Sequence, residues 1–353
     1  MSQAQLVATL LEGSWRGRPS DPDGLDVKQL DQIAPLLYDS GAAALGWWRI
    51  RNSALRHTAS GRLLHEAYRL QALQSVLHEE KILKVLRLLR EARIEAILVK
   101  GWAAAQLYPD SALRPYGDID LLVRPSQFKP AQQLLQHATD CWVDLHSNLM
   151  EIGDRPLEEL FGRAEVLTLR NEEVRSLSRE DHLALLAIHL LRHGAWRPLW
   201  LCDIGAQIES LPDNFDWSLC LGGNKHRAGW ITCAVGLAHG LLGVSLEGLP
   251  IASAASNIPG WLPASVLRQW DSPFARNQAP MKHSAKMADY LANPTGILTA
   301  LRERWPNPIL ATVSVNGQFN RLPRLPYQLG NCLLRMTHLI TASRLRGAVS
   351  QAQ

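Results

Sequence analysis

The chain changes its hydrophobic period twice. From Ser60 to Arg93, apolar positions such as Leu73, Val76, Leu83, Leu86 and Leu89 recur at steps of three and four, with charges on the other face. That pattern predicts an amphipathic helix packed on a core. Shorter alternating runs follow. Ala96–Val99, Asp118–Val123 and Cys141–His146 read as strands, with a helix over Ser126–Ala138 between the last two. Ala164–Arg170 and Val174–Leu177 flank an Asn171-Glu172 turn and read as a hairpin. After Ser178 the period is helical again, beginning with a serine N-cap and acids in the first turn (Ser178-Arg179-Glu180-Asp181). Further helices are expected over Pro198–Ser210, Lys225–Leu242, Ser284–Arg304 and Tyr327–Arg346. The proline- and glycine-bearing stretch from Gly248 to Pro280 reads as an irregular connection.

These elements add up to an α+β protein. A small mixed or antiparallel sheet with flanking helices is framed by helical regions at both ends, divided as 1–92, 93–177 and 178–353. The 353 residues are 46% hydrophobic and 20% charged, which fits a folded chain and excludes disorder. A formal charge of +4 is too mild to argue for nucleic acid. The five cysteines, Cys141, Cys202, Cys220, Cys233 and Cys332, form no CxxC pair and read as reduced thiols of a cytoplasmic protein. The N-terminus lacks the basic and apolar regions of a signal peptide, and the apolar run Ala228–Val244 is broken by Thr232, His239 and glycines. A buried helix is expected there, and no membrane span.

Within this frame, the stretch ILVKGWAAAQLYPDSALRPYGDIDLLV (Ile97–Val123) carries the chemistry. Strand alternation points Asp118 and Asp120 the same way, with Ile119 and Leu121 on the opposite face. Two carboxylates held that close repel each other and lose hydration unless a cation sits between them. Such oxygen donors suit Mg²⁺ or Mn²⁺, with substrate phosphates completing the shell. In CWVDLHSNL, Asp144 faces the same way as Trp142 and His146, away from Val143 and Leu145. If that strand lies beside the first, Asp144 is a third ligand of a two-metal site. An isolated D-x-D also occurs as a simple turn device.

At Lys100-Gly101 a strand ends and a helix over Trp102–Tyr108 begins. Glycine permits close backbone approach, and free N–H groups at a helix start favour a phosphate. Lys100 offers a point charge and Arg114 a forked one toward the same phosphates; a plain turn with two solvated bases is the competing reading. His182, His189 and His193 share one helix, and the last two have chelating i,i+4 spacing. With no HExxH glutamate beside them they read as structural, with His189 a possible auxiliary base. Of twelve tryptophans, Trp196, Trp200 and Trp217 read as packing at helix ends rather than base-stacking platforms. No acidic residue follows Glu303, whereas Arg304, Arg321, Arg324, Arg335, Arg344 and Arg346 do, which reads as a solvated face.

The order of strand, glycine turn, short helix, D-x-D strand and a later acid-bearing strand resembles the DNA polymerase beta-like nucleotidyltransferase superfamily. More closely, LVKGWAAAQLYP, RPYGDIDLLV, VDLHSNL, LSREDHLALLAIHLLRHGAW and WLCDIGAQIES are similar to a bacterial family of uncharacterised nucleotidyltransferases, clearest from Glu80 to Gly243. RLPYQLGNCLLRMTHL also resembles that family's C-terminal helix. The resemblance implies transfer of a nucleoside monophosphate from an NTP such as ATP to an acceptor, with release of pyrophosphate. Asp118, Asp120 and Asp144 would be its catalytic and metal-binding residues, and Lys100, Gly101 and Arg114 its nucleotide contacts. The wider superfamily has Gly-Ser or Gly-Gly in the turn, whereas Trp102 follows Gly101 here. The acceptor, whether a small molecule, a peptide or protein side chain, or an RNA end, is not legible, nor is the oligomeric state. Two other classes compete: a non-catalytic nucleotide-binding module, and a D-x-D glycosyltransferase, which needs a Rossmann-like region before the motif.

Overall fold

The computed structural model describes residues 1–22, 24–138, 142–271 and 305–350. Four helices precede the first strand: α1 (Gln3–Leu11), α2 (Val27–Ser40), α3 (Ala43–Ile50) and α4 (Ala59–Glu91). Ser2 and Asp26 start the first two with reciprocal capping boxes to Gln5 and Gln29. Thr58 caps α4 by accepting from the Gly61 amide. The expected helix is there, but its buried face differs in the middle. Leu73 and Val76 are 68% and 50% exposed, whereas Gln71 and Ser75 are buried. Apolar residues nearly encircle that part of the helix, so neighbouring elements rather than periodicity choose the face that is covered.

The sheet has five strands, β1 (Ala96–Leu98), β2 (Ile119–Val123), β3 (Val143–His146), β4 (Glu165–Leu169) and β5 (Glu172–Ser176), in the order β3-β2-β1-β5-β4. β1 runs antiparallel to β2 and parallel to β5, β2 parallel to β3, and β4 antiparallel to β5. The sheet is therefore mixed. Cys141, placed at the start of the third strand by its pattern, lies outside the described residues. The hairpin is present with its turn one residue earlier than expected: Leu169 pairs with Glu172, and Arg170 takes a φ of 55°.

Between the strands lie α5 (Trp102–Ala105), α6 (Pro125–Ala138) and α7 (Leu157–Gly162). α5 is a single turn, shorter than the helix expected to Tyr108. α6 is the crossover that a parallel β2–β3 pair requires. Alternation along the strands divides two cores. Leu98, Ile119, Leu121 and Val123 pack with Leu83, Leu86 and Leu89 of α4 on one face. Ile97, Val99 and Leu122 face a larger core that includes residues of α1–α3 and of the helices after the sheet. Asp120 belongs by parity to this second face.

Those later helices are α8 (Arg179–Arg192), α9 (Pro198–Glu209), α10 (Trp217–Leu221), α11 (Lys225–Leu242), α12 (Ala252–Ser256) and α13 (Trp261–Trp270). The last two correct the reading of Gly248 to Pro280 as irregular, because Ala255, Leu262, Val266 and Trp270 find buried positions there. The helix expected over Ser284–Arg304 lies outside the described residues. Beyond it, helices Pro308–Ser314 and Leu325–Ser350 are tied back by indole N–H groups: Trp230 donates to the Gly317 carbonyl and Trp261 to that of Asn320, both at 2.8 Å. Arg324 is buried, stacked over Trp261 and Tyr327, so the basic tail is not uniformly solvated. Among the described residues no helix is long and apolar enough to cross a membrane.

Candidate active site

The parallel pairing of β2 with β3 sets Asp120 directly opposite Asp144 and Leu122 opposite His146. Because side chains alternate, Asp144 and His146 emerge on the face of Asp120. One ligand atom each from Asp120, Asp144 and His146 lies within 4.8 Å of the others. His146 Nε2 stands 3.3 Å from Asp120 Oδ1 and 3.3 Å from Asp144 Oδ2. The group is graded in exposure: the Asp120 side chain is 6% exposed and that of Asp144 49%. The site thus opens toward Asp144.

Lys100, two residues after β1, donates from Nζ to Asp120 Oδ1 at 3.0 Å. Burial pushes the Asp120 carboxyl pKa up, but the hydrogen bond from His146 and the charge of Lys100 outweigh it and hold it below the ordinary value. Burial likewise lowers the Lys100 ammonium, and the Asp120 charge more than reverses this, with Glu151 and Asp144 adding. Gly101 takes φ +54° and ψ −106°, a region that L side chains avoid. A Cβ there would meet only ordinary contacts, the closest to the Asp118 carbonyl at 3.5 Å, so it is conformation and not space that calls for glycine.

Not every residue expected at the site joins this group. Asp118 precedes β2 and is exposed, outside the Asp120–Asp144–His146 set. Arg114 turns inward. Its Nη2 donates to Asp203 Oδ2 at 2.9 Å and its Nε lies 3.2 Å from Oδ1, with the two side chains 7% and 0% exposed. Tyr108 donates to the same carboxylate at 2.8 Å. Burial opposes the Arg114 charge, but Asp203 holds its pKa above the ordinary value. This guanidinium is spent on the core, where it anchors the loop leading into β2.

The sequence pattern alone assigns no role to three of the neighbours. His146 shares a strand face with Asp144 at i,i+2, a signal present in VDLH. Glu151, on a short 3₁₀ turn, lies 3.5 Å from Nδ1 of His189 of α8. Burial raises its pKa, but His189 and the Lys100 charge bring it to about 2. Arg227, in the first turn of α11, fixes that turn by donating to the Glu151 carbonyl at 2.6 Å and to Asp154 at 2.8 Å. Burial lowers the His189 pKa below its ordinary value, against the hydrogen bond and charge of Glu151. The ring packs against His193 and Trp200, with ring centroids 4.5 and 4.8 Å away, so Trp200 serves as packing. His182 instead lies in the core against Gln207 at 3.2 Å.

Two carboxylate oxygens and an imidazole nitrogen are donors that a divalent ion accepts, and Asp120 retains one oxygen not engaged by Lys100 or His146. The residues therefore fit such an ion. The family described as uncharacterised nucleotidyltransferase matches residues 28–139 and 136–227, together more than half of the 353-residue chain. The chain belongs to this family. Among the described residues the matched stretches hold all five strands and the helices from α2, but for its first residue, to α10, so the relationship reaches further toward the N-terminus than the motifs do. No curated protein and no solved structure matches the chain.

Proposed function

We propose that this protein is a metal-dependent nucleotidyltransferase that moves a nucleoside monophosphate from an NTP to an acceptor and releases pyrophosphate. The observation that carries the reading is the in-register Asp120–Asp144 pair with His146 between them and Lys100 against Asp120. Family membership supports it. Asp120, Asp144 and His146 would hold Mg²⁺ or Mn²⁺, and the imidazole donor suits Mn²⁺ at least as well. Asp118, exposed just before β2, would be a further carboxylate ligand. A bound divalent ion neutralises phosphate charge and eases ionisation of an attacking hydroxyl.

The protein's own residues then position and neutralise. Lys100 and the Gly101 turn meet the phosphates, and Arg114 steadies the loop that carries Asp118. The acceptor oxygen forms its bond to the α-phosphorus while the bond to pyrophosphate breaks. Asp144, half exposed, stands on the side from which the acceptor enters and receives its proton or orients it. The acceptor is a nucleophile-bearing small molecule, a peptide or protein side chain, or an RNA end. A glycosyltransferase reading loses support because helices, and no Rossmann unit, precede β1.

The test is to incubate the protein with each α-labelled NTP, Mg²⁺ or Mn²⁺ and panels of these acceptor classes, following pyrophosphate and acceptor-bound label. Metal-dependent release that disappears in Asp120→Asn supports the proposal. Release unaffected by Asp120→Asn would reject it.

A further inference from the structure

Arg197 has the chemistry of a phosphate ligand, and among the described residues no carboxylate is ion-paired with it. It is the N-cap of α9, a twelve-residue helix with Pro198 at its start. Its Nε donates to the Ser40 carbonyl at 2.6 Å. The guanidinium approaches Gly41 through Nη2, which a Cβ there would meet at 2.3 Å, and its carbon stands 5.7 Å from the Trp200 ring centroid. The same Gly41 position faces Pro115 Cγ at 3.4 Å, which sets the guanidinium beside the loop running from Arg114 to Asp118. Backbone, glycine and indole fix the group in place, and among the described residues no carboxylate forms an ion pair with it.

That arrangement contrasts with Arg114, whose fork is closed by Asp203. Burial lowers the Arg197 pKa to about 10, with Arg114 adding to the effect and Asp203 and Asp118 opposing it. It is therefore still a cation at neutral pH. A half-buried cation ordinarily has a counter-ion, because desolvation without one is unfavourable. Its Nη groups match the oxygens of a phosphate in geometry, and the start of α9 adds a favourable field for an anion. Pro115 belongs to the loop that enters β2, the strand on which Asp120 meets Lys100.

We infer that Arg197, and not Arg114, is the arginine that grips the triphosphate of the nucleotide. This deepens the proposed nucleotidyl transfer and rests on it. Lys100, ion-paired with Asp120, and Arg197, without an ion-paired carboxylate among the described residues, are then two cations for the phosphate tail.

The experiment measures binding of each common NTP and of inorganic tripolyphosphate, with Mn²⁺, to the parent and to Arg197→Gln. Alongside, the parent is treated with phenylglyoxal with and without NTP, and modification of Arg197 and Arg192 is read by peptide mass spectrometry. Tripolyphosphate and NTP affinity should fall at least tenfold in Arg197→Gln, and NTP should protect Arg197 but not Arg192. An NTP-binding parent with equal affinity in Arg197→Gln, or with Arg197 modified equally in the presence of NTP, would overturn this inference alone. A parent that binds no NTP would overturn it together with the proposed function. If Arg197→Gln does not fold, the protection experiment on the parent decides.

Discussion

Asp144 is the most exposed of the three grouped donors, and it faces the open side of the site. Replacing it by Asn keeps shape and removes charge. NTP binding should stay within a few-fold of the parent, because Asp120 and Lys100 remain. Pyrophosphate release should fall by about 10²-fold or more, since the group that meets the acceptor has lost its anion. Affinity and turnover measured on the same variant separate these effects; equal turnover would reduce Asp144 to a surface acid. Arg114 gives the opposite kind of prediction. Arg114→Leu strands Asp203 as a buried unpaired charge, and chemical denaturation should show a loss of about 3–5 kcal/mol. Arg114→Leu combined with Asp203→Leu should recover part of it. At this scale the alternation around Asp120 and Asp144 was legible in the sequence. The fate of Arg114 was not, because its partner lies 89 residues away and no local pattern pairs them. His146 was legible in principle, sharing a face with Asp144, but its nitrogen donor falls outside the all-oxygen pattern that marks a Mg²⁺ site.

Among the elements, the strands, the crossover helix and most later helices follow from hydrophobic period. What period does not carry is which neighbour each element meets. The Asp120–Asp144 register depends on how α6 returns the chain, and the covered face of α4 depends on α2, α3 and the loop before β2. The shift of the hairpin turn to Arg170-Asn171 turns on which residue takes the left-handed conformation, and a local reading favoured Asn171-Glu172. Close helix contact gives a sharp test. A Cβ on Gly236 of α11 would sit 2.3 Å from the Ala255 carbonyl oxygen of α12. Gly236→Ala should therefore cost about 1–3 kcal/mol by forcing α11 and α12 apart. Gly240, four residues on, has open space around its Cβ position. Gly240→Ala should be neutral or stabilising by up to about 1 kcal/mol through helix propensity. Urea melts of the two variants check the contrast, and equal effects would contradict the α11–α12 packing.

For the whole molecule, one apolar core joins the N-terminal helices, one face of the sheet and α8–α13, so the site is held between parts far apart in sequence. His182 lies inside that core, and burial lowers its pKa from 6.5 to about 4 despite the hydrogen bond with Gln207. The folded pKa is below the unfolded one, so the unfolded chain binds the proton first. Stability from this residue is fully present above pH 6.5 and is lost as pH falls toward 4, by up to about 3 kcal/mol. Urea melts at pH 7 and pH 5 should show a smaller drop in His182→Gln than in the parent.

The central claim is that the carboxylates brought together by β2 and β3 hold the ion through which the nucleotide binds. The most direct test is calorimetric titration of NTP into the parent and into the Asp120→Asn, Asp144→Asn double variant, in Mn²⁺ and in EDTA. The parent should bind NTP in Mn²⁺ and at least tenfold more weakly in EDTA, and the double variant should gain nothing from Mn²⁺. Equal NTP affinity in all four titrations, or none in the parent with Mn²⁺, would contradict the claim.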